Sequence, residues 1–139
     1  MKIVLDASIG VKWFKYKNES NIDLANKLLQ QQSQNEIEII VPDLFFFEII
    51  NILLNKKYIN VSDLYSASES LHLMNMKVIF PNKEIIDTSI SIADRTKLTF
   101  YDSLYISAAI SEQALLLTED KEILKYSDKF KFIRSLNKF

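Results

Sequence analysis

At 139 residues, 48% hydrophobic and 25% charged, the chain has the length of one domain and enough apolar material for its own core, so 1–139 is expected to fold as a single unit. Seventeen Lys and Arg against eighteen Asp and Glu leave a formal charge of -1, which excludes a globally basic binder of nucleic acid or anionic membrane and confines any polyanion site to a local patch. The absence of cysteine excludes disulfides, thiol catalysis and cysteine zinc sites, and a reducing cytoplasm is the expected compartment.

Ile3-Val4-Leu5 reads as a strand buried on both faces, of the kind found in parallel sheets, and it stops abruptly at Asp6. That carboxylate comes too early for a signal-peptide apolar core to form before it. Asn21 is expected to cap a crossover helix with Ile22, Ala25, Leu28 and Leu29 at helical spacing. Ile37 to Val41 forms a second strand, ended by Pro42, and Asp43 starts a helix over Leu44 to Leu54. Nine of those eleven residues are apolar, so the helix is expected to be covered on most sides, with Glu48 in its middle. It is far short of the ~20 apolar residues that span a bilayer, and no membrane association is expected.

Ser62 is the expected N-cap of an amphipathic helix carrying Leu64, Ala67, Leu71 and Met74, and Lys77 to Phe80 is a third strand closed by Pro81. Ile86, Ile90 and Ala93 mark the next helix, with a cationic end at Arg95 to Lys97. Asp102 opens a helix whose Ala108 and Ala109 predict close packing on the sheet. Leu115 to Thr118 is a strand, Asp120 follows it, and a short helix through Ile123 and Leu124 leads to a last strand around Phe130 to Ile133. Strands alternating with helices make the fold α/β with a parallel sheet of about five strands.

Right-handed crossovers bring the C-terminal strand ends and the following helix N-termini to one edge, where ligands of open α/β sheets bind. Asp6 and Asp120 belong to that edge. A helix of ~10 residues from Asp102 descends about 15 Å and the ~4-residue strand after it climbs about 13 Å, which returns the chain to the same edge. Glu48 lies about a turn and a half into its helix and is directed there as well. Asp102 and Asp120 are also open to reading as helix N-caps and Asp6 as a turn residue, as are Asp43, Asp63 and Asp87. Glu48 resists that reading, because an unpaired carboxylate in apolar surroundings is costly. Four acids from separate segments with no nearby Cys or His suit Mg²⁺ or Mn²⁺ with a phosphate in its shell, and so phosphodiester hydrolysis.

Leu5-Asp6-Ala7-Ser8, Val41-Pro42-Asp43-Leu44 leading into Glu48-Ile49-Ile50-Asn51-Ile52-Leu53, Tyr101-Asp102-Ser103-Leu104-Tyr105 and Leu117-Thr118-Glu119-Asp120 together resemble the PIN-domain ribonucleases, in particular the VapC-type toxins of toxin–antitoxin pairs. The resemblance covers nearly the whole chain; each motif alone is weak, and their order and spacing carry it. It implies a three-layer α/β/α fold with a five-stranded parallel sheet in the order 3-2-1-4-5 and a metal-dependent endoribonuclease acting on RNA. It implies that Asp6, Glu48, Asp102 and Asp120 are the acidic quartet, with Ser8 and Thr118 hydrogen-bonding near it. A homodimer and a small antitoxin laid across the acidic edge are its expected assembly. Asp6 and Asp102 are the first choice as direct Mg²⁺ or Mn²⁺ ligands, with Glu48 and Asp120 acting through water.

His72, the one histidine, is assigned no role. Lys12, Lys15 and Lys17 are candidates to grip a phosphate backbone, with a solvated charged face as the plainer reading, and Arg95, Lys97 and Lys121 are weighed in the same way. Phe45, Phe46, Phe47 and Trp13 read as core, part of which is available as a dimer or antitoxin surface. A phosphoaspartate phosphatase would want Asp where Ser8 stands, and a phospho-receiver an acid where Phe80-Pro81-Asn82 ends the third strand. The non-enzymatic alternative is a PIN-like module that binds RNA or protein without cutting.

Overall fold

The computed structural model of the chain describes residues 1–14 and 20–139. Five strands, β1 (Lys2–Leu5), β2 (Glu38–Pro42), β3 (Lys77–Ile79), β4 (Leu115–Leu117) and β5 (Ile133–Arg134), form one all-parallel sheet in the order β3-β2-β1-β4-β5. The helices are α1 (Ala7–Gly10), α2 (Ile22–Ser33), α3 (Leu44–Leu54), α4 (Val61–Leu73), α5 (Lys83–Thr96), α6 (Phe100–Glu112) and α7 (Lys121–Leu124). Right-handed crossovers in that strand order put α1 to α4 on one face and α5 to α7 on the other. β1 lies at the centre, which is why Ile3, Val4 and Leu5 are wholly buried. Among the described residues no helix is long and apolar enough to cross a membrane.

Several local expectations are corrected by the backbone. The chain turns at Asp6 straight into α1 and a 3-10 turn at Val11–Trp13, elements too short to show a hydrophobic period. Asn21 holds the N-cap position of α2 in a left-handed conformation and makes no side-chain cap bond. Asn60, not Ser62, caps α4, because its extended backbone lets it exchange hydrogen bonds with Asp63 in a capping box. Thr99, not Asp102, caps α6, which leaves Asp102 in the first turn. The last strand is shorter and later than Phe130 to Ile133, with Phe130 and Phe132 outside it.

α3 is less covered than expected, and α5 is buried through residues other than the three that mark it in the sequence. α5 buries Ile85, Ser89, Ile92 and Thr96 while Ile86 and Ile90 are exposed. The Ser89 and Thr96 hydroxyls donate to the carbonyls of Ile85 and Ile92, and Ser107 of α6 also donates to Ile85 O, so small satisfied polar groups line the α5–α6 contact. α3 buries only Phe45, Ile49 and Leu53, and leaves Phe47 68% and Leu54 63% exposed. Its open side is therefore apolar.

α1 crosses α3 at Gly10. A Cβ there would lie 2.7 Å from Ile49 Cδ1 and closer still to the Phe45 ring. This approach holds Asp6, just before α1, close to Glu48, which lies between Phe45 and Ile49. Gly10→Ala is expected to destabilise the fold by about 1–3 kcal/mol through overpacking. Chemical denaturation checks it, and an unchanged midpoint would mean that the Phe45 ring yields without cost.

Candidate active site

The parallel pairing of β1 with β4 sets Leu5 level with Leu117, so Asp6 and Thr118 stand side by side where both strands end. The Asp6 N–H donates to Leu117 O at 3.0 Å, continuing the ladder by one step. Thr118 Oγ1 donates to Asp6 Oδ2 at 2.8 Å and accepts the Asp120 N–H at 2.9 Å. Ser8 Oγ repeats the pattern, donating to the same Oδ2 and accepting the Glu119 N–H at 2.9 Å. Two hydroxyls thus lock the segment after β4 onto Asp6, at the end of the sheet where the strand order reverses.

Asp6 and Asp120 do cap helices. Asp6 Oδ2 accepts the Ser8 N–H at 3.3 Å, and Asp120 Oδ1 accepts the N–H groups of Glu122 and Ile123 at 2.7 and 3.3 Å. Each cap uses one oxygen, however. Among the described residues the other oxygen of each accepts no hydrogen bond, so capping leaves it available to a ligand. Asp43 caps α3, Asp63 is the capping-box partner of Asn60 and accepts its N–H at 3.0 Å, and Asp87 pairs with Lys83 on the exposed face of α5.

The four acids share one electrostatic environment. Burial pushes Asp6 above its ordinary value, its bonds from Ser8 and Thr118 oppose the rise, and repulsion from Asp120 adds to it. Asp102 is raised by burial and then by Asp120 and Glu122, against hydrogen bonding with Thr99. Glu48 is pushed up to about 7, first by burial and then by Asp6 and Asp102, against the neighbouring Tyr105 hydroxyl and with a smaller contribution from Asp120. A cavity of about 450 Å³ opens over Glu48 and Asp102, walled by Leu44, Phe47, Asn51, Thr99 and Tyr101. A larger one of about 760 Å³ lies at the other end of the strands, among Met1, Asn35, Glu38 and Lys77.

Sequence reasoning missed Tyr105. It is 1% exposed, and its buried hydroxyl has no hydrogen-bond partner of good geometry. That hydroxyl faces Glu48, the charge of Asp6 and the backbone of Ala7, and desolvation followed by the two carboxylates holds its pKa well above the usual tyrosine value. At i+3 from Asp102 a tyrosine reads as core packing; only the three-dimensional environment of its oxygen marks it. Among the described residues no three Asp, Glu, His or Cys side chains stand close enough together to enclose an ion by themselves. The donor set is nonetheless all hard oxygen, and Mg²⁺ commonly takes one or two carboxylates and keeps its waters. An orphaned hydroxyl among these carboxylates fits a site built for a further ligand.

The basic candidates fare less well. Lys12 is 4% exposed and its Nζ donates to Ser20 O at 3.0 Å, so it belongs to the interior and not to a phosphate grip; Lys15 and Lys17 lie outside the described residues. Lys97 pairs with Asp94 at 3.6 Å, and Arg95 Nε donates to Ser91 O at 3.3 Å. His72 Nδ1 donates to Ser68 O at 2.7 Å and the ring stacks on Phe46 at 5.6 Å, which is a structural role. Phe45 and Trp13 are core, and Phe47 is surface.

No curated protein sequence matches the chain. Solved structures do. PAE2754 from Pyrobaculum aerophilum superposes with a TM-score of 0.71 at 20% identity, covering 99% of this chain and 85% of that one. VapBC2 from Rickettsia felis, bound to a DNA fragment from its promoter, gives 0.70 at 17% identity over 97% and 98%. VapC20 from Mycobacterium tuberculosis, a toxin that cleaves the sarcin-ricin loop, gives 0.69 at 12% identity over 88% and 93%. At such identities the likeness is one of fold alone. The family model described as PIN domain matches residues 3–129, nearly the whole length, and the chain belongs to the PIN-domain family.

Proposed function

We propose that this chain, acting as one domain over 1–139, is a Mg²⁺- or Mn²⁺-dependent endoribonuclease and the toxin of a toxin–antitoxin pair in the cytoplasm. The observation that carries the reading is a cluster of acids from separate segments beside a cavity, in which burial and then neighbouring carboxylates, Asp120 among them, raise the proton affinity of Asp6, Glu48 and Asp102. A fold does not keep such a cluster for its own stability; a cation relieves it. The solved relatives named as toxins and toxin–antitoxin complexes support the biological role.

When bound, the divalent ion would lower the pKa of a water and offset charge developing on the phosphate. Asp6 and Asp102 would hold it, Asp6 through the oxygen its cap leaves free. Glu48 and Asp120 would orient the attacking water, Glu48 being able to change protonation near neutral pH. Ser8 and Thr118 fix the Asp6 carboxylate and the backbone of 119–120. The open apolar side of α3, with Phe47 and Leu54, is the surface we assign to homodimer formation, and an antitoxin would shield the acids with an Arg or Lys.

Incubating the purified chain with a mixed RNA pool tests the reading. Cleavage is expected with Mn²⁺ and none with EDTA. Cleavage that survived chelation would sink the metal mechanism, and RNA bound but never cut would leave the silent binding module.

A further inference from the structure

Native folds pair nearly all of their buried polar atoms, so each exception calls for a reason. Among the described residues Tyr105 Oη is the buried side-chain oxygen or nitrogen left without a partner. Phenylalanine would fill the same space in α6 without that cost. The hydroxyl is also not placed at random, since it faces Glu48 and Asp6 beyond the end of β1, one helical turn along α6 from Asp102. Glu48 arrives from α3, on the other side of the sheet, and among the described residues its carboxylate accepts no hydrogen bond of good geometry, the Tyr105 hydroxyl being the donor beside it, in contrast to Asp6, which is held by Ser8 and Thr118.

We propose that Tyr105 is a positioning residue that acts through Glu48: its hydroxyl is kept in reserve to donate to the Glu48 carboxylate when that group turns to serve a divalent cation. The inference rests on the metal-dependent reading above. A carboxylate drawn towards a cation by one oxygen is oriented by a donor on the other, and such supporting bonds tune a ligand as much as the ligand's own identity. Tyr105 gives Glu48 the counterpart of what Ser8 and Thr118 give Asp6. The cost is an unsatisfied oxygen whenever the carboxylate is not so turned, which is the usual trade of stability for function at a site.

Tyr105→Phe distinguishes this from a packing role, because the two give opposite signs. Removing an orphaned hydroxyl should leave the melting temperature in EDTA unchanged or higher, whereas losing a structural hydrogen bond would lower it. The same variant should bind Mn²⁺ about 10-fold more weakly, read by the metal dependence of the melt and by calorimetry. Its kcat on RNA should fall with little change in KM. In a Glu48→Gln background the further change Tyr105→Phe should no longer alter Mn²⁺ affinity, which is the signature of acting through that residue. If native and Tyr105→Phe bind Mn²⁺ equally, or if Tyr105→Phe weakens binding to the same extent with and without Glu48, the inference fails while the nuclease reading stands. A native chain that binds no Mn²⁺ removes both.

Discussion

Asp102→Asn is expected to lower RNA cleavage about a thousandfold, the scale of losing a group that stabilises developing charge, and yet to melt in EDTA at or above the native temperature. Two carboxylates ~5 Å apart at an effective dielectric of ~20 repel by about 3 kcal/mol, and partial protonation relieves only part of that. Removing one charge therefore helps the fold. The structure sharpens the case for this position, because Thr99 caps α6 and the substitution removes no cap. What it does forfeit is a negative charge in the first turn, worth about 0.3–1 kcal/mol against the helix dipole, less than the repulsion relieved. Asp102→Asn should also lose most of the Mn²⁺-dependent rise in melting temperature shown by the native chain, since a ligand stabilises only by binding the folded state. A variant that melted several degrees lower in EDTA and kept the Mn²⁺ response would make Asp102 structural.

Stability should fall as pH rises through neutrality, the reverse of ordinary acid denaturation. Glu48 titrates at about 7 in the fold against an ordinary 4.5, so the folded chain holds a proton that the unfolded chain has released across that window. Its contribution is fully present below about 4.5 and is lost as pH rises through about 7. Asp6 and Asp102 are raised too and act in the same direction. With Glu48 only partly buried, solvent screening reduces its share to roughly 1–2 kcal/mol, a few degrees of melting temperature. In EDTA the chain should melt higher near pH 5.5 than near pH 8, and Glu48→Gln should flatten the slope. With Mn²⁺ the trend should turn over, because a metal competes with protons for the same carboxylates. A native profile flat between those two pH values would contradict the raised Glu48 affinity.

Much of this arrangement was legible in the sequence because charge interrupts apolar pattern at the places that matter. Asp6 ends an apolar run, Glu48 interrupts another, and Thr118 and Asp120 follow a third, so strand ends and acids mark one another. The sheet order came from the resemblance, and the structure has it. Caps were less legible, since Asn60 and Thr99 win over Ser62 and Asp102 by extended backbone at the right offset, and residue type alone does not record offset. The buried face of α5 was not legible, because Ser89 and Thr96 satisfy their hydroxyls within the helix and so pass as core, leaving Ile86 and Ile90 outside. α3 looked buried all round for the opposite reason: its apolar outer side is a surface that the chain alone does not cover. Tyr105 was invisible, because an unpaired oxygen is a property of its neighbours.

Cleavage of one RNA pool by the native chain and by Asp6→Asn, each with Mn²⁺ and with EDTA, tests the central claim most directly. Asn can turn its carbonyl oxygen towards Ser8 and Thr118, so the variant should stay folded while losing the charge that would face the ion. The account predicts cleavage by the native chain with Mn²⁺ alone, and none by a folded Asp6→Asn under either condition. Equal cleavage by both proteins, or cleavage by the native chain in EDTA, would contradict it.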